Sequence, residues 1–217
     1  MRNAMNSVAI NAYHTGAKAI FLLTLLVLTG CALPQPPARP AVYDFGPGTL
    51  HTPPAGAAAA LAPLVVAEIE TTPALDSTAI LYRLAYANAQ QLRPYAQARW
   101  SMTPAQLLRQ RLREQLGQRR ALLNPGDAGV PGPLTLRLEL EEFSQQFETP
   151  ETSMGWLRLR ATVLLPGPGG ENLVAQRSLT VQRPAPSADA PGAVRALTGA
   201  ADAAVQELDQ WLLGLTR

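Results

Sequence analysis

Hydrophobic positions along the 217-residue chain follow three distinct rhythms. Ala19–Leu28 is a ten-residue apolar run broken by one threonine. From Ser101 to Gly117 the leucines recur at helical spacing: Leu108, Leu112 and Leu116 fall every fourth residue, with Leu107 beside them. Leu134, Leu136, Leu138 and Leu140 alternate with Thr135, Arg137, Glu139 and Glu141, the period of a strand with one buried face. Leu157, Leu159, Ala161, Val163 and Leu165 repeat that alternation, with Trp156, Arg158 and Arg160 on the other face. Leu173–Val181 pairs back after the turn Pro166–Gly170, placing Leu179 and Val181 inside. These three strands predict an antiparallel meander. Ala193–Leu215 carries a helical stripe of Val194, Leu197, Ala201, Ala204, Val205, Leu208, Trp211, Leu212 and Leu215.

Local signals refine these elements. Thr103 reads as an N-cap, Pro104 as the first helical residue and Gln106 as the partner of a capping box, with Met102 and Leu107 as a hydrophobic staple. Gly117 is placed to stop that helix, and Arg109, Arg111, Arg113 and Arg119 are expected largely to face away from its apolar side. The strand phase slips by one before Phe143, which predicts a bulge near Glu141–Glu142. Leu64–Ile69 is a short β-rich run. Ala79–Tyr86 and Arg93–Trp100 flank a polar turn, Ala87–Leu92, and read as a hairpin with Tyr82, Tyr86, Tyr95 and Trp100 on its arms. Val42-Tyr43-Asp44-Phe45 reads as a short edge strand, and Gly46–Pro63 as a loose stretch. The sum is an α+β fold: a mainly antiparallel sheet with two helices packed on one face, in the order strands, helix, three strands, helix.

The first thirty residues change the picture. They carry Arg2 and Lys18 and no acid; without them sixteen bases face sixteen acids, so the positive balance belongs to the leader. Nucleic-acid binding loses its electrostatic support. The apolar run spans about 15 Å as a helix, half of what a bilayer core requires. A basic start, a short apolar run and a small-residue exit describe a secretory signal. Its exit, Leu28-Thr29-Gly30-Cys31, resembles the bacterial lipobox: small residues give the peptidase access, and the thiol forms a thioether to diacylglycerol. The acyl chains, palmitate among them, would hold Cys31 on a membrane, since each buried methylene contributes about 0.8 kcal/mol and two chains anchor stably. Ala32, rather than aspartate, follows the cysteine and by resemblance to Gram-negative sorting favours the outer membrane. Ala32–Pro40 has four prolines in nine residues, a semi-rigid tether of roughly 28 Å. The expected organisation is a signal peptide over 1–30, a lipidated cysteine and proline-rich tether over 31–41, and a single domain over 42–217.

The chemistry inventory is thin. Cys31 is the single cysteine, and His51 the single histidine beyond the leader. No internal disulfide can form, and a Ser-His-Asp triad or a histidine metal site is not expected. Glu139, Glu141, Glu142, Glu148 and Glu151 are dense but read as the outer face of a strand and its loop. The arginines at 109, 111, 113, 119 and 120 could meet an acidic partner or lipid headgroups, though a solvated helix face explains them. Tyr82, Tyr95 and Trp100 are either core aromatics or a partner-binding platform. No cofactor, metal or catalytic residue is expected, so the protein reads as no enzyme; an envelope enzyme would need a cleft around a carboxylate such as Asp44 or Glu68.

Taken together, these residues resemble the ABC-type transport auxiliary lipoproteins, the PqiC-like family that accompanies MCE-domain lipid transporters. The resemblance spans roughly Val42–Leu215. It rests on the lipobox, the strand Val42–Phe45, Tyr82-Arg83, Tyr95, Arg99-Trp100, Thr103-Pro104 with the leucine-bearing helix, the strand Leu134–Phe143 and the last helix. The Gly46–Pro63 insertion is longer and looser than the family pattern. The resemblance implies a non-catalytic lipoprotein on the periplasmic face of the outer membrane. Its partners would be an MCE-domain protein with permease and ATPase subunits, and further copies of itself in a possible homo-oligomer. Such an adaptor predicts an exposed apolar or aromatic patch. The alternative, a periplasmic carrier or chaperone that itself binds a hydrophobic ligand, predicts an apolar cavity of several hundred Å³.

Overall fold

A computed structural model describes residues 39–48, 61–127 and 132–215. The leader, the lipobox residues Leu28, Thr29 and Gly30, Cys31 and most of the tether lie outside the described residues, as does most of the loose stretch after Gly48. Among the described residues, eight strands and three helices follow one another as β1 (Ala41–Tyr43), β2 (Leu61–Thr71), β3 (Ala79–Leu84), α1 (Ala85–Asn88), β4 (Ala89–Trp100), α2 (Pro104–Leu116), β5 (Arg120–Leu123), β6 (Leu134–Phe147), β7 (Ser153–Gly167), β8 (Gly170–Pro184) and α3 (Ala190–Leu215). All of them belong to one compact unit, Arg39–Arg217. The class is α+β, and α2 and α3 pack against each other and against the sheet.

The long meander is the frame. β6, β7 and β8 pair antiparallel along their lengths, and the β6 register shifts between Leu140 and Glu142, where the alternation slips. The other side of β6 is shared. β2 runs parallel to its first half, Leu64 beside Leu134 through Thr71 beside Leu140. β3 runs parallel to its last three residues, Tyr82 beside Gln145 through Leu84 beside Phe147. The loop between β2 and β3 tucks Leu75 into the core. β5 extends the β2 branch in parallel, and β4 then β1 extend the β3 branch. The sheet is therefore mixed where alternation suggested mainly antiparallel pairing: β1–β4, β2–β5, β2–β6 and β3–β6 are parallel. Alternation reports which face is buried and carries no information on strand direction.

Several boundaries move. β2 begins at Leu61, inside the expected loose stretch; Pro63 is accommodated because the β2–β5 register shifts between Leu61 and Leu64, and a proline in a strand needs such an irregularity. Four strands, not three, follow α2, because Arg120–Leu123 forms β5. The β3–β4 connection is the short helix α1 rather than a turn over Ala87–Leu92, so Tyr86 leaves the hairpin arm and stands exposed. The α2 start is as the sequence dictates: the Thr103 hydroxyl accepts from the Gln106 amide, and the Gln106 side chain accepts from the Thr103 amide.

The core lies between the sheet and the two helices. Leu136, Leu138, Leu140, Leu157, Leu159, Val163 and Leu179 face Leu108, Leu112, Leu197, Val205 and Leu208 in one buried cluster. Alanines 193, 196, 200, 201 and 204 line the buried side of α3. They let the helix sit so close to β7 that a Cβ on Gly155 would lie 2.7–2.8 Å from Ala196 and Leu197 backbone atoms. The opposite face of the meander is a ladder of ion pairs, Glu139 and Glu141 with Arg160, Glu141 with Arg158, and Arg83 with Glu142. The carboxylate cluster is thus an outer strand face. No described helix is long and apolar enough to cross a membrane.

Candidate functional site

The residues singled out from the sequence separate into two aromatic clusters. Trp100, the last residue of β4, is 1 % exposed. Its ring meets Phe45 edge-on at 5.5 Å and Phe143 at 5.9 Å. Tyr82 and Tyr95 form the second cluster, 4.7 Å apart between ring centres, with Phe147 5.9 Å from Tyr82. Both tyrosines are half-buried. The shift in register between Ala79 and Leu81 divides the hairpin arms between the two groups.

The second cluster carries a polar core. The Tyr95 hydroxyl donates to Gln145 Oε1, and the fully buried Gln145 amide donates to Ser153 Oγ at 2.7 Å and to the Ser187 carbonyl at 3.5 Å. Burial, with Tyr82 and Asp189 adding to it, pushes the Tyr95 phenol well above its ordinary range. Asp189 stands just before α3 and accepts from Ser187 Oγ and the Gly192 amide, which hold its carboxyl below the usual range. This is a structural network that fixes the start of α3 against β4, β6 and β7.

The first cluster is closed by a residue whose role the sequence reading missed. Arg111 was expected to face outward with its neighbours; it is buried. From α2 it donates to the Phe45 carbonyl at 2.5 Å and the Gly46 carbonyl at 3.0 Å. It also pairs with Asp202 of α3 at 3.3 Å and Glu114 at 3.7 Å. A guanidinium has enough donors to serve all of these partners. Burial raises the Asp202 carboxyl, with Arg111 pulling it down and Glu114 pushing it up. Gly46 and Gly48 both take positive φ, and a Cβ on Gly48 would lie 2.2 Å from Arg111 Nη1. The chain after β1 is thus wrapped around one arginine. A signal existed: Arg111 stands four residues after Leu107 and three after Leu108, on the apolar stripe.

Arg109, Arg113 and Arg119 are also engaged. Arg109 reaches Glu68 at 2.7 Å and Arg119 reaches the buried Asp209 at 3.6 Å. Arg120, at the start of β5, is buried with Nε and Nη2 unpaired. Asp44, just after β1, turns back to accept from the Gly46 amide at 2.8 Å, while Glu68 on β2 pairs with Arg109.

Beside this latch, β1 and the first half of α3 enclose an open groove of about 540 Å³. Val42, Tyr43, Phe45 and Val194 give it apolar walls, while Asp44, Arg195 and Asp202 stand among them. β1 pairs only with β4 among the described strands, so its outer edge borders the groove. Val42 is 53 % exposed. This arrangement offers a surface for contact and no constellation of nucleophile, base and oxyanion donors.

Residues 43–208 match the family model of the ABC-type transport auxiliary lipoprotein component. The chain belongs to this family. Among solved structures, the auxiliary lipoprotein is similar to a Xanthomonas campestris protein at 21% identity and a TM-score of 0.66, covering 81% of this chain and 95% of that one. It is also similar to an uncharacterized protein at 14% identity and a TM-score of 0.55, covering 80% of this chain and 99% of that one. These likenesses concern the fold. No curated protein matches the chain.

Proposed function

We propose that this auxiliary lipoprotein is a non-catalytic adaptor, anchored through Cys31 on the periplasmic face of the outer membrane. In this reading it serves an MCE-type ABC system, with permease and ATPase subunits, that moves lipid between the two membranes. The observation that carries the reading is the family match over 43–208. The lipobox Leu28-Thr29-Gly30-Cys31 and the following Ala32 support the anchor and its membrane. In this organisation residues 1–30 direct export, 31–41 form the anchor and tether, and 42–217 form the contact domain, alone or as a homo-oligomer. The latch around Arg111 supports a firm hold of the segment after β1 on α2 and α3, and the β1–α3 groove supports contact rather than enclosure of a ligand. The mixed lining and open mouth of that groove give the carrier reading little support.

Two measurements on the full chain test this. Cys31→Ser abolishes acylation and removes the protein from the alkali-washed membrane pellet, with the thermal transition unchanged; retention after that wash refutes the anchor. Purification of the acylated protein in mild detergent brings down an MCE-domain protein and an ATPase. A solitary protein under conditions that preserve the transporter refutes the adaptor role.

A further inference from the structure

β7 and β8 are longer than the sheet they belong to. β6 accompanies β7 only as far as Leu164, opposite Thr135. Beyond it Leu165, Pro166 and Gly167 pair with Asn172, Glu171 and Gly170 alone. The end of the hairpin is therefore a two-stranded ribbon projecting from the sheet. It carries three of the exposed large hydrophobic residues: Leu173 at 65 %, Val174 at 43 % and Leu165 at 40 % exposure.

Their placement decides what could cover them. Leu173 lies opposite Leu164, while Leu165 lies opposite Asn172, one position on and so on the other side of the ribbon. Val174 sits in the register shift between these pairs and the rest of the hairpin. The ribbon is apolar on both sides, so a flat partner could cover only one of them. Three side chains also fall far short of the ~800 Å² per partner that a stable protein interface buries. A medium that surrounds the ribbon suits it better.

The rest of the tip suits the same medium. From Leu164 to Ala175 the single ionisable side chain is Glu171, and it is paired with Arg137 at 2.5 Å. Pro166 and Pro168 have no amide hydrogen to desolvate, and the Gly167–Gly170 pairing closes the ribbon on itself. Low charge and apolar side chains on both faces suit the headgroup–acyl boundary, to a depth of about 5–10 Å, where water still reaches the open strand edges. We propose that the β7–β8 tip dips into the surface of a phospholipid bilayer. β7 runs parallel to β1, through the antiparallel β3–β4 and β6–β7 pairs and the parallel β1–β4 and β3–β6 pairs. β1 therefore runs toward the end from which this tip projects, and Arg39 and Pro40 enter it from the opposite end.

The test uses the full chain carrying Cys31→Ser and Gly169→Cys, so that one thiol, at a position with open space around it, takes an environment-sensitive fluorophore. The protein is bound to protein-free phosphatidylcholine vesicles with or without bromine on the acyl chains. We expect at least twofold quenching by the brominated lipid, abolished by Leu173→Asp and reduced by Leu165→Ser, both at exposed positions whose change leaves the urea midpoint in place. The acylation of Cys31 is not needed, so this result is independent of the adaptor reading. Protein that stays off the vesicles, an unquenched tip on bound protein, or quenching that survives both substitutions overturns the proposal. Protection of the fluorophore only on vesicles that carry envelope proteins assigns the tip to a protein and overturns it as well.

Discussion

Replacing Arg111 with methionine keeps the aliphatic stem in place and removes the charge that the segment after β1 is wrapped around. The magnitude follows from what each partner loses. The bond to the Phe45 carbonyl is buried, and a hydrogen bond from a charged group in such a place contributes about 1.5–3 kcal/mol. Asp202 and Glu114 retain 49 % and 32 % side-chain exposure, so each ion pair adds at most about 1 kcal/mol after solvent screening. Arg111→Met is therefore expected to lower the unfolding free energy by about 2–4 kcal/mol. The effect has a pH signature. Burial already raises the Asp202 carboxyl, and Arg111 opposes that rise. A carboxyl raised on folding costs stability at neutral pH and regains it as acid protonates it. The penalty of the substitution should be larger at pH 7 than near pH 4, and Asp202→Asn should restore part of it at pH 7. Urea titration of the detergent-solubilised full chain, followed through tryptophan emission, reads both quantities. A loss below about 1 kcal/mol, or one that neither acid nor Asp202→Asn reduces, refutes the latch.

Three further outcomes follow from packing and burial. Trp100→Ala empties the contact with Phe45 and Phe143 and should cost about 3–5 kcal/mol; a near-unchanged melting temperature would place Trp100 outside the load-carrying core. Gly155→Val forces α3 away from β7 at Ala196, a cost of about 1–3 kcal/mol or more. The same substitution at Gly169, where a Cβ has open space, should leave the thermal transition in place, and equal effects at the two sites would contradict the close approach. The Tyr95 phenol is raised on folding, chiefly by burial, so stability should fall as pH climbs above the ordinary tyrosine value of ~10. Tyr95→Phe should flatten that fall in an alkaline denaturation series, and an unchanged slope would show that the hydroxyl is not buried as described.

The parts of the fold that were legible in the sequence are those fixed locally. Thr103, Pro104 and Gln106 determine where α2 begins within four residues, and the phase of leucines around Glu141 marks the bulge without reference to any partner. β5 was illegible because four residues carry too little periodicity, and their strand character comes from pairing with β2 some sixty residues earlier. The start of β2 was hidden by Pro63 and the alanines before it, which read as linker until the register shift is seen. Arg111 shows a conflict between two signals. Its helical position pointed inward and its charge pointed outward, and the carbonyls that make burial tolerable lie 65 and 66 positions away. Tyr82, Tyr95 and Trp100 were recognisable as aromatic arms of one hairpin, but their division into a polar-centred pair and a sealed trio depends on one shifted register.

The shared side of β6 has a consequence for how the chain reaches its final form. β2 is made early and has no neighbouring partner, since β5 and β6 are built from residues 120–123 and 134–147, while β3 finds only β4 close by in the chain. The hairpin β6–β7 and the hairpin β7–β8 close over short separations, and such contacts form fastest. Short separation favours early closure of the meander and of the β3–β4 hairpin, with β2 condensing onto β6 afterwards. Until the meander has closed, the free strand margins of the earlier half invite pairing with other chains.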